Sequence, residues 1–302
     1  MRPFTIMVDS DCDLPGEYIK AHDIQILQMP FTYDGKEYTS GNWSEISDKD
    51  YYNGMRKGSV ASTTLINPDT FVSVFTEYAE RGEDLLMIVL SGKLSATFQN
   101  SQIALEEVRE KFPSCNIYAI DSMSAAGGTG LLAMMTVKKR AEGLSAFETA
   151  AWLEDVKHRC YGNFMVDDLM YLHRGGRVSK LQAVAGSLIG VKPVLGLTPE
   201  GALTIKEKGR KHKGAMEILI KQLKQTVAPG AKLDTIIISH TDCQAEANLF
   251  ASMVRDSVDV DEVLTLMMGP IIGAHVGPGC VALFFEADMD RPTYEEKFYA
   301  KK

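Results

Sequence analysis

Leu85-Leu86-Met87-Ile88-Val89-Leu90-Ser91-Gly92-Lys93-Leu94-Ser95-Ala96-Thr97 is the stretch that decides the fold of this chain. The apolar run is short and ends at Ser-Gly, so it reads as a strand. The hydroxyl-bearing residues after it open a helix, where unpaired backbone N–H groups and the helix dipole favour an anion near Ser95. The same pattern recurs on either side. Strands are predicted at Phe4–Val8, Asn116–Ile120, Thr235–Ser239, Glu262–Met267 and Val281–Phe285. Segments of helical period lie between them. This alternation predicts an α/β protein with a largely parallel sheet.

Asn67-Pro68-Asp69 supplies an N-cap, an N1 proline and a first-turn acid, and Phe71, Val74, Phe75 and Tyr78 follow on one helical face. Gly127–Arg140 is predicted helical, with Leu131, Met134, Met135 and Val137 apolar, and Ser145–His158 opens on a capping box with Glu148. The first domain is placed at 1–159 and the second at 160–302. Lys206–Lys213 is a locally basic stretch, read as a solvated face, with docking as its alternative.

The 302 residues carry 32 Lys+Arg against 40 Asp+Glu, a net charge of −8, which opposes a nucleic-acid or anionic-membrane surface as main partner. Cys12, Cys115, Cys160, Cys243 and Cys280 are odd in number and scattered, as expected of free thiols in a reducing cytoplasm. The opening run from Met1 to Val8 reaches Asp9 before a signal-peptide core forms, and the apolar segment Leu181–Leu197 is broken by Lys192 and Pro193. The expectation is a cytoplasmic protein that does not span a membrane.

Several motifs carry chemistry. Asp9-Ser10-Asp11-Cys12-Asp13 ends the first strand, but Leu14 and Lys20 stand where a calcium loop needs Gly and Glu. A turn and capping role is the reading taken, with metal-dependent phosphoryl chemistry as its alternative. Gly128-Thr129-Gly130 matches a dinucleotide pattern in letters but lies several residues past its strand, so the glycines are assigned to close helix packing. Ser62-Thr63-Thr64 adds hydroxyls before the Asn67 cap. His173-Arg174-Gly175-Gly176-Arg177 sets two arginines around a glycine pair, and Gly269 to Gly279 holds His275 in a loop constrained by glycines and prolines.

Taken together, Val8 to Leu14, Ser62 to Pro68, Leu94 to Gln99, Ile120-Asp121-Ser122, Tyr171 to Arg177 and Gly269 to Gly279 resemble the DegV family. Members of that family look like cytosolic fatty-acid-binding proteins, and one branch presents bound fatty acid to a fatty-acid kinase. The resemblance implies a Rossmann-like α/β first domain, a second α/β domain, and an acyl chain in an apolar tunnel between or beside them. It implies that Thr63 and Ser95 hydrogen-bond the carboxylate, with His275 nearby and Arg177 in the network. It implies no cofactor and no catalytic residue of the chain's own. Three places depart from the family pattern: Thr63-Thr64-Leu65-Ile66 replaces Thr-Ser-Gln-Pro, Ser95-Ala96-Thr97 replaces Ser-Gly-Thr, and Ala126 replaces a serine.

Physical chemistry agrees with a lipid. Each buried methylene gains roughly 0.8 kcal/mol, so about ten supply ample affinity and the head group need only be satisfied. The sequence has no Gly-x-x-x-x-Gly-Lys-[Ser/Thr] loop, which points to a kinase on another chain. The first alternative is an acyl hydrolase built from Ser95, His275 and Asp9 or Asp121, although the Gly-x-Ser-x-Gly elbow is absent. The second is a phosphotransfer or hydroxyketone-binding module using His240 or His275.

Overall fold

A computed structural model describes residues 4–39, 45–180 and 190–299. In chain order the elements are β1 (Thr5–Asp9), α1 (Gly16–Ala21), β2 (Ile24–Leu27), β3 (Phe31–Tyr33), β4 (Lys36–Tyr38), α2 (Asp48–Arg56), β5 (Ala61–Thr63) and α3 (Pro68–Arg81). There follow β6 (Leu85–Val89), α4 (Thr97–Lys111), β7 (Ile117–Asp121), α5 (Gly127–Ala141), α6 (Ala146–Val156), β8 (Cys160–Met165) and α7 (Met170–Arg174). The remainder is β9 (Val191–Leu197), β10 (Leu203–Arg210), α8 (Lys211–Thr226), β11 (Lys232–His240), α9 (Gln244–Arg255), β12 (Asp259–Met267), α10 (Pro270–Val276), β13 (Val281–Glu286) and α11 (Arg291–Phe298).

The first sheet has the order β2-β1-β6-β7 and is parallel throughout. Its strands alternate in the way a sheet covered on both faces requires: Leu86 and Ile88 face one core, while Leu85, Met87 and Val89 face another. Helices α3 and α4 cover one side. On the other side lies α5, sandwiched between this sheet and a six-stranded sheet of order β10-β9-β8-β13-β11-β12. The far face of that second sheet is covered by α8 and α9. Helix α5 is therefore buried nearly all round, and a Cβ on Gly130 would lie 2.4 Å from the Cys12 carbonyl oxygen. Only glycine admits that approach.

The predicted strands and helices are present with boundary shifts of a few residues. Asn67 caps α3 by accepting from the Thr70 N–H at 2.8 Å, and Ser145 with Glu148 closes the capping box of α6. The largely parallel expectation holds for the first sheet. In the second, β11–β12 is the parallel pair and the other pairings are antiparallel. Three further departures bear on the site. Ser62 and Thr63 lie in an edge strand of the antiparallel sheet β4-β3-β5 and do not cap α3. The Gly269–Gly279 loop contains a seven-residue helix, α10. Lys206–Lys213 is not one solvated face: it runs from β10 into α8, and the Lys206 side chain is buried against Glu295. Of the segment 181–197, residues 181–189 lie outside the described residues and Val191–Leu197 is strand β9. Among the described residues no helix is long and apolar enough to cross a membrane.

Candidate functional site

A cavity of about 160 Å³ opens where the carboxyl ends of the first sheet's strands meet the inner face of the second sheet. A water needs about 10–15 Å³ on this measure, so the space takes on the order of ten water-sized or methylene-sized groups. Leu90 and Leu94 reach it from the β6–α4 turn, and Phe164, Leu197, Ala282 and Phe284 from the second sheet. Four polar side chains join the lining: Thr63, Ser95, Arg177 and His275.

Thr63 and His275 touch, and Arg177 links their surroundings to the segment that holds Ser95. Thr63, at the end of β5, lies with its Oγ1 2.9 Å from His275 Nε2 on α10. Helix α10 is held in place by α2: the Tyr51 hydroxyl donates to the Pro270 carbonyl at 2.9 Å and the Tyr52 hydroxyl to the Met268 carbonyl at 2.7 Å. The other face of the His275 ring rests on the turn after α7, where a Cβ on Gly175 would lie 2.3 Å from Nδ1. Arg177 donates from Nε to the Leu94 carbonyl at 2.9 Å and from Nη1 to the Gly175 carbonyl. It thereby ties the segment ending in Ser95 to the glycine against which His275 packs.

Burial, reinforced by the Arg177 charge, pushes the His275 imidazole down to about 4, so the ring is neutral at physiological pH. Its Nδ1 is buried with no hydrogen-bond partner among the described residues. The ring proton is held at lower cost on Nε2, where Thr63 Oγ1 accepts it, and the Thr63 hydroxyl proton then points to a ligand. Arg177 has no carboxylate partner among the described residues. Its charge faces a cavity that otherwise offers neutral dipoles, which suits a small anion such as a carboxylate. Replacing Gly175 by alanine is expected to drive the imidazole off Thr63 and towards water. In a histidine NMR titration the His275 midpoint should then rise from about 4 towards the ordinary value of about 6.5; an unchanged midpoint would refute this packing.

Ser95 stands just before α4, where its Oγ lies 2.9 Å from Thr97 Oγ1 and accepts from the Thr97 N–H at 3.2 Å. The carboxylates considered as hydrolase partners are engaged elsewhere. Asp9, ending β1, accepts from the Leu90 N–H at 2.9 Å, and Asp121, ending β7, accepts from the Gly92 and Met123 N–H groups at 3.2 and 2.7 Å. Flanking β6 on both sides, they clamp the turn that presents Ser95. His240 bonds Gln244 and Cys243 and does not line the cavity. Asp11 accepts from the Ala126 N–H at 3.0 Å and Asp13 from the Gly269 N–H at 2.8 Å, so the Asp9–Asp13 run ties loops together and does not cap the helix after it. Among the described residues no cluster of His, Cys, Asp or Glu has the arrangement of a metal site.

Sequence reasoning did not single out Tyr51 or Tyr52, and it marked Gly175 only as one of a glycine pair between two arginines; the roles of all three depend on contacts across the fold. It did quote Arg174, which lies over the Tyr171 ring and lines a second depression of 240 Å³ with Ser59 and Ser62. That depression shares Thr63, Arg177 and His275 with the apolar cavity, so these side chains stand between the two, with both arginines lining the second.

The fold and the site together define an α/β protein with an internal slot, apolar along its walls, that carries hydroxyl, imidazole and guanidinium groups. The DegV family model, described as "Uncharacterised protein, DegV family", matches residues 3–288. The chain belongs to the DegV family. A DegV domain-containing protein of Clostridium perfringens is 36% identical over 97% of this chain and 100% of its own length. Among solved structures, a DegV lipid binding protein from Thermotoga maritima is 28% identical with a TM-score of 0.83, covering 96% of this chain and 100% of its own. A structure titled for fatty acid binding of a DegV family protein from Thermus thermophilus is 26% identical with a TM-score of 0.84, covering 95% and 100%.

Proposed function

We propose that this protein holds a long-chain fatty acid in the cavity, with its carboxylate at Thr63, Ser95, His275 and Arg177. The domains 1–159 and 160–302 close over the acyl chain. The protein presents the carboxylate to a separate fatty-acid kinase in the cytoplasm and afterwards carries the acyl phosphate; it performs no turnover itself. The observation that carries the reading is the set of four polar side chains on an otherwise apolar slot. A carboxylate there receives hydroxyl protons from Thr63 and Ser95 and faces the Arg177 charge, while its chain leaves water. The lipid and fatty acid named for the Thermotoga and Thermus relatives support the same ligand class.

Presentation to a kinase is supported by two features. The sequence lacks a phosphate-cradling glycine loop of its own. The second depression, lined by Arg174 and Arg177, shares Thr63 and His275 with the slot, and an incoming phosphoryl group there would meet positive charge. Ser95 bonds Thr97, His275 bonds Thr63, and the nearby carboxylates accept from main-chain N–H groups, so the carrier reading is preferred to the hydrolase.

Solvent extraction of the purified protein followed by mass spectrometry is expected to release a fatty acid. Thr63→Ala and Ser95→Ala should each weaken fatty-acid binding by about tenfold or more, the worth of one hydrogen bond to a charged group, and slow acyl-phosphate formation by an added fatty-acid kinase. Absence of any bound acid, or unchanged affinity in both variants, would overturn the reading.

A further inference from the structure

The floor of the cavity is the inner face of the second sheet, and its register gives the slot a direction. Cys280, Ala282 and Phe284 line it at alternate positions, while Leu283 and Phe285 face the opposite core. Cys280 adjoins the helix that carries His275. Phe284 lies four residues further along the floor, roughly 13 Å away at about 3.4 Å per strand residue.

At the Phe284 end one transverse row crosses four strands. Leu203 pairs with Leu197, and Gly162 pairs with Phe284. The pairing of Asn163 with Gly196 places Gly162 opposite Leu197. All four members of the row line the cavity. Gly162 is the gap in it: a Cβ there would lie 2.8 Å from Leu197 Cδ1 and 2.9 Å from Phe284 Cε1. From behind, Phe284 is backed by α5, where Cβ atoms on Gly127 and Gly128 would each fall 2.9 Å from its ring. The ring has no room to retreat. Its position, together with the missing side chain at residue 162, sets how far the slot extends.

We infer that the row Leu203, Leu197, Gly162 and Phe284 is the end wall of the slot and determines the length of acyl chain accepted. This rests on the fatty-acid reading above. A methyl group at residue 162 pushes Leu197 and Phe284 into the slot and removes about one methylene of depth. A smaller side chain at residue 284 adds depth, since its surroundings collapse only in part.

The test loads the wild type, Gly162→Ala and Phe284→Leu with an equimolar series of saturated acids from decanoic to icosanoic and identifies the bound acid by mass spectrometry. Gly162→Ala is expected to shift the preferred chain shorter by roughly one or two carbons and Phe284→Leu to shift it longer by a similar amount. General destabilisation of the fold would not move the two in opposite directions. If Gly162→Ala does not fold, Leu203→Phe, on the edge strand, fills the same row and should shorten the chain. A wild type that binds acids, with variants that keep its profile or shift together, overturns the end wall and leaves the fatty-acid reading standing. A wild type that takes up no acid overturns both.

Discussion

Replacing Arg291 by methionine is expected to cost roughly 4 kcal/mol or more, a large part of the 5–15 kcal/mol that stabilises an ordinary domain. The residue is only 1% exposed, the largest fully buried side chain among the described residues. It opens α11, where a cation opposes the helix dipole, so its position does not serve that helix. Its guanidinium binds main-chain oxygens from three places: Nη1 donates to the Met123 carbonyl at 3.0 Å and the Thr198 carbonyl at 3.2 Å, and Nη2 to the Lys157 carbonyl at 3.1 Å. Met123 belongs to the turn after the first sheet, Lys157 to the link between the sheets, and Thr198 to the β9–β10 hairpin. One side chain therefore fastens both halves of the molecule. Methionine preserves most of the volume but forfeits three hydrogen bonds from a charged donor, each worth about 1.5–3 kcal/mol; the Thr198 and Lys157 carbonyls keep the Gly201 and Cys160 N–H groups, and that of Met123 loses the guanidinium donor outright. Arg291→Lys keeps the charge, lacks the planar fork and should fall between the two. Urea unfolding of the three proteins measures this; equal midpoints would refute the role.

A second large effect concerns pH. Burial pushes the Asp13 carboxyl up to about 7, and it pushes those of Asp9 and Asp11 up as well, Asp11 further because it faces Asp9. A carboxyl whose folded value is raised favours the protonated folded state. Its contribution is complete below the unfolded value of about 4 and is lost as pH rises through the folded value. Stability is therefore expected to fall by on the order of 2 kcal/mol between about pH 5 and about pH 7.5 through Asp13 alone. Asp13→Asn keeps an oxygen to accept from the Gly269 N–H but cannot ionise. It should flatten the dependence and raise stability at the alkaline end. Denaturant midpoints at the two pH values, compared between the wild type and this variant, decide the matter, and parallel losses would exclude Asp13 as the source.

Elements whose signals are local were legible in the chain. The Asn67-Pro68 helix start and the Ser145/Glu148 box draw their stability from groups a few residues away, the unbroken Leu85–Leu90 run carries its strand signal in its own composition, and each stands where it was expected. The second sheet was harder to read. Strand β8 carries Gly162 and Asn163 at its centre, residues that disfavour strands, and pairs on one side with β9 and on the other with β13, which is distant in sequence. Whether such pairs run parallel or antiparallel depends on which edge the returning chain reaches, and no local spacing encodes that. Helix α10 was hidden for a related reason. It is short and rich in glycine and proline, and hydroxyls of Tyr51 and Tyr52 hold its first turn from another part of the chain.

The site divides along the same line. Residue types and local punctuation, which act over a turn or a strand, were enough to mark Ser95, His275 and the segments that hold Thr63 and Arg177 and to predict an alternating α/β chain; it was the resemblance to the DegV family that picked Thr63 and Arg177 out of those segments. Tertiary structure alone decided that Thr63 and His275 touch although 212 residues separate them, that Gly175 leaves room for the imidazole, and that Arg291 fastens the two halves. Side-chain chemistry and backbone periodicity are properties of short stretches of chain. The meeting of distant loops depends on closing long segments against their conformational entropy, and only the packing of the two sheets around α5 supplies the free energy for that.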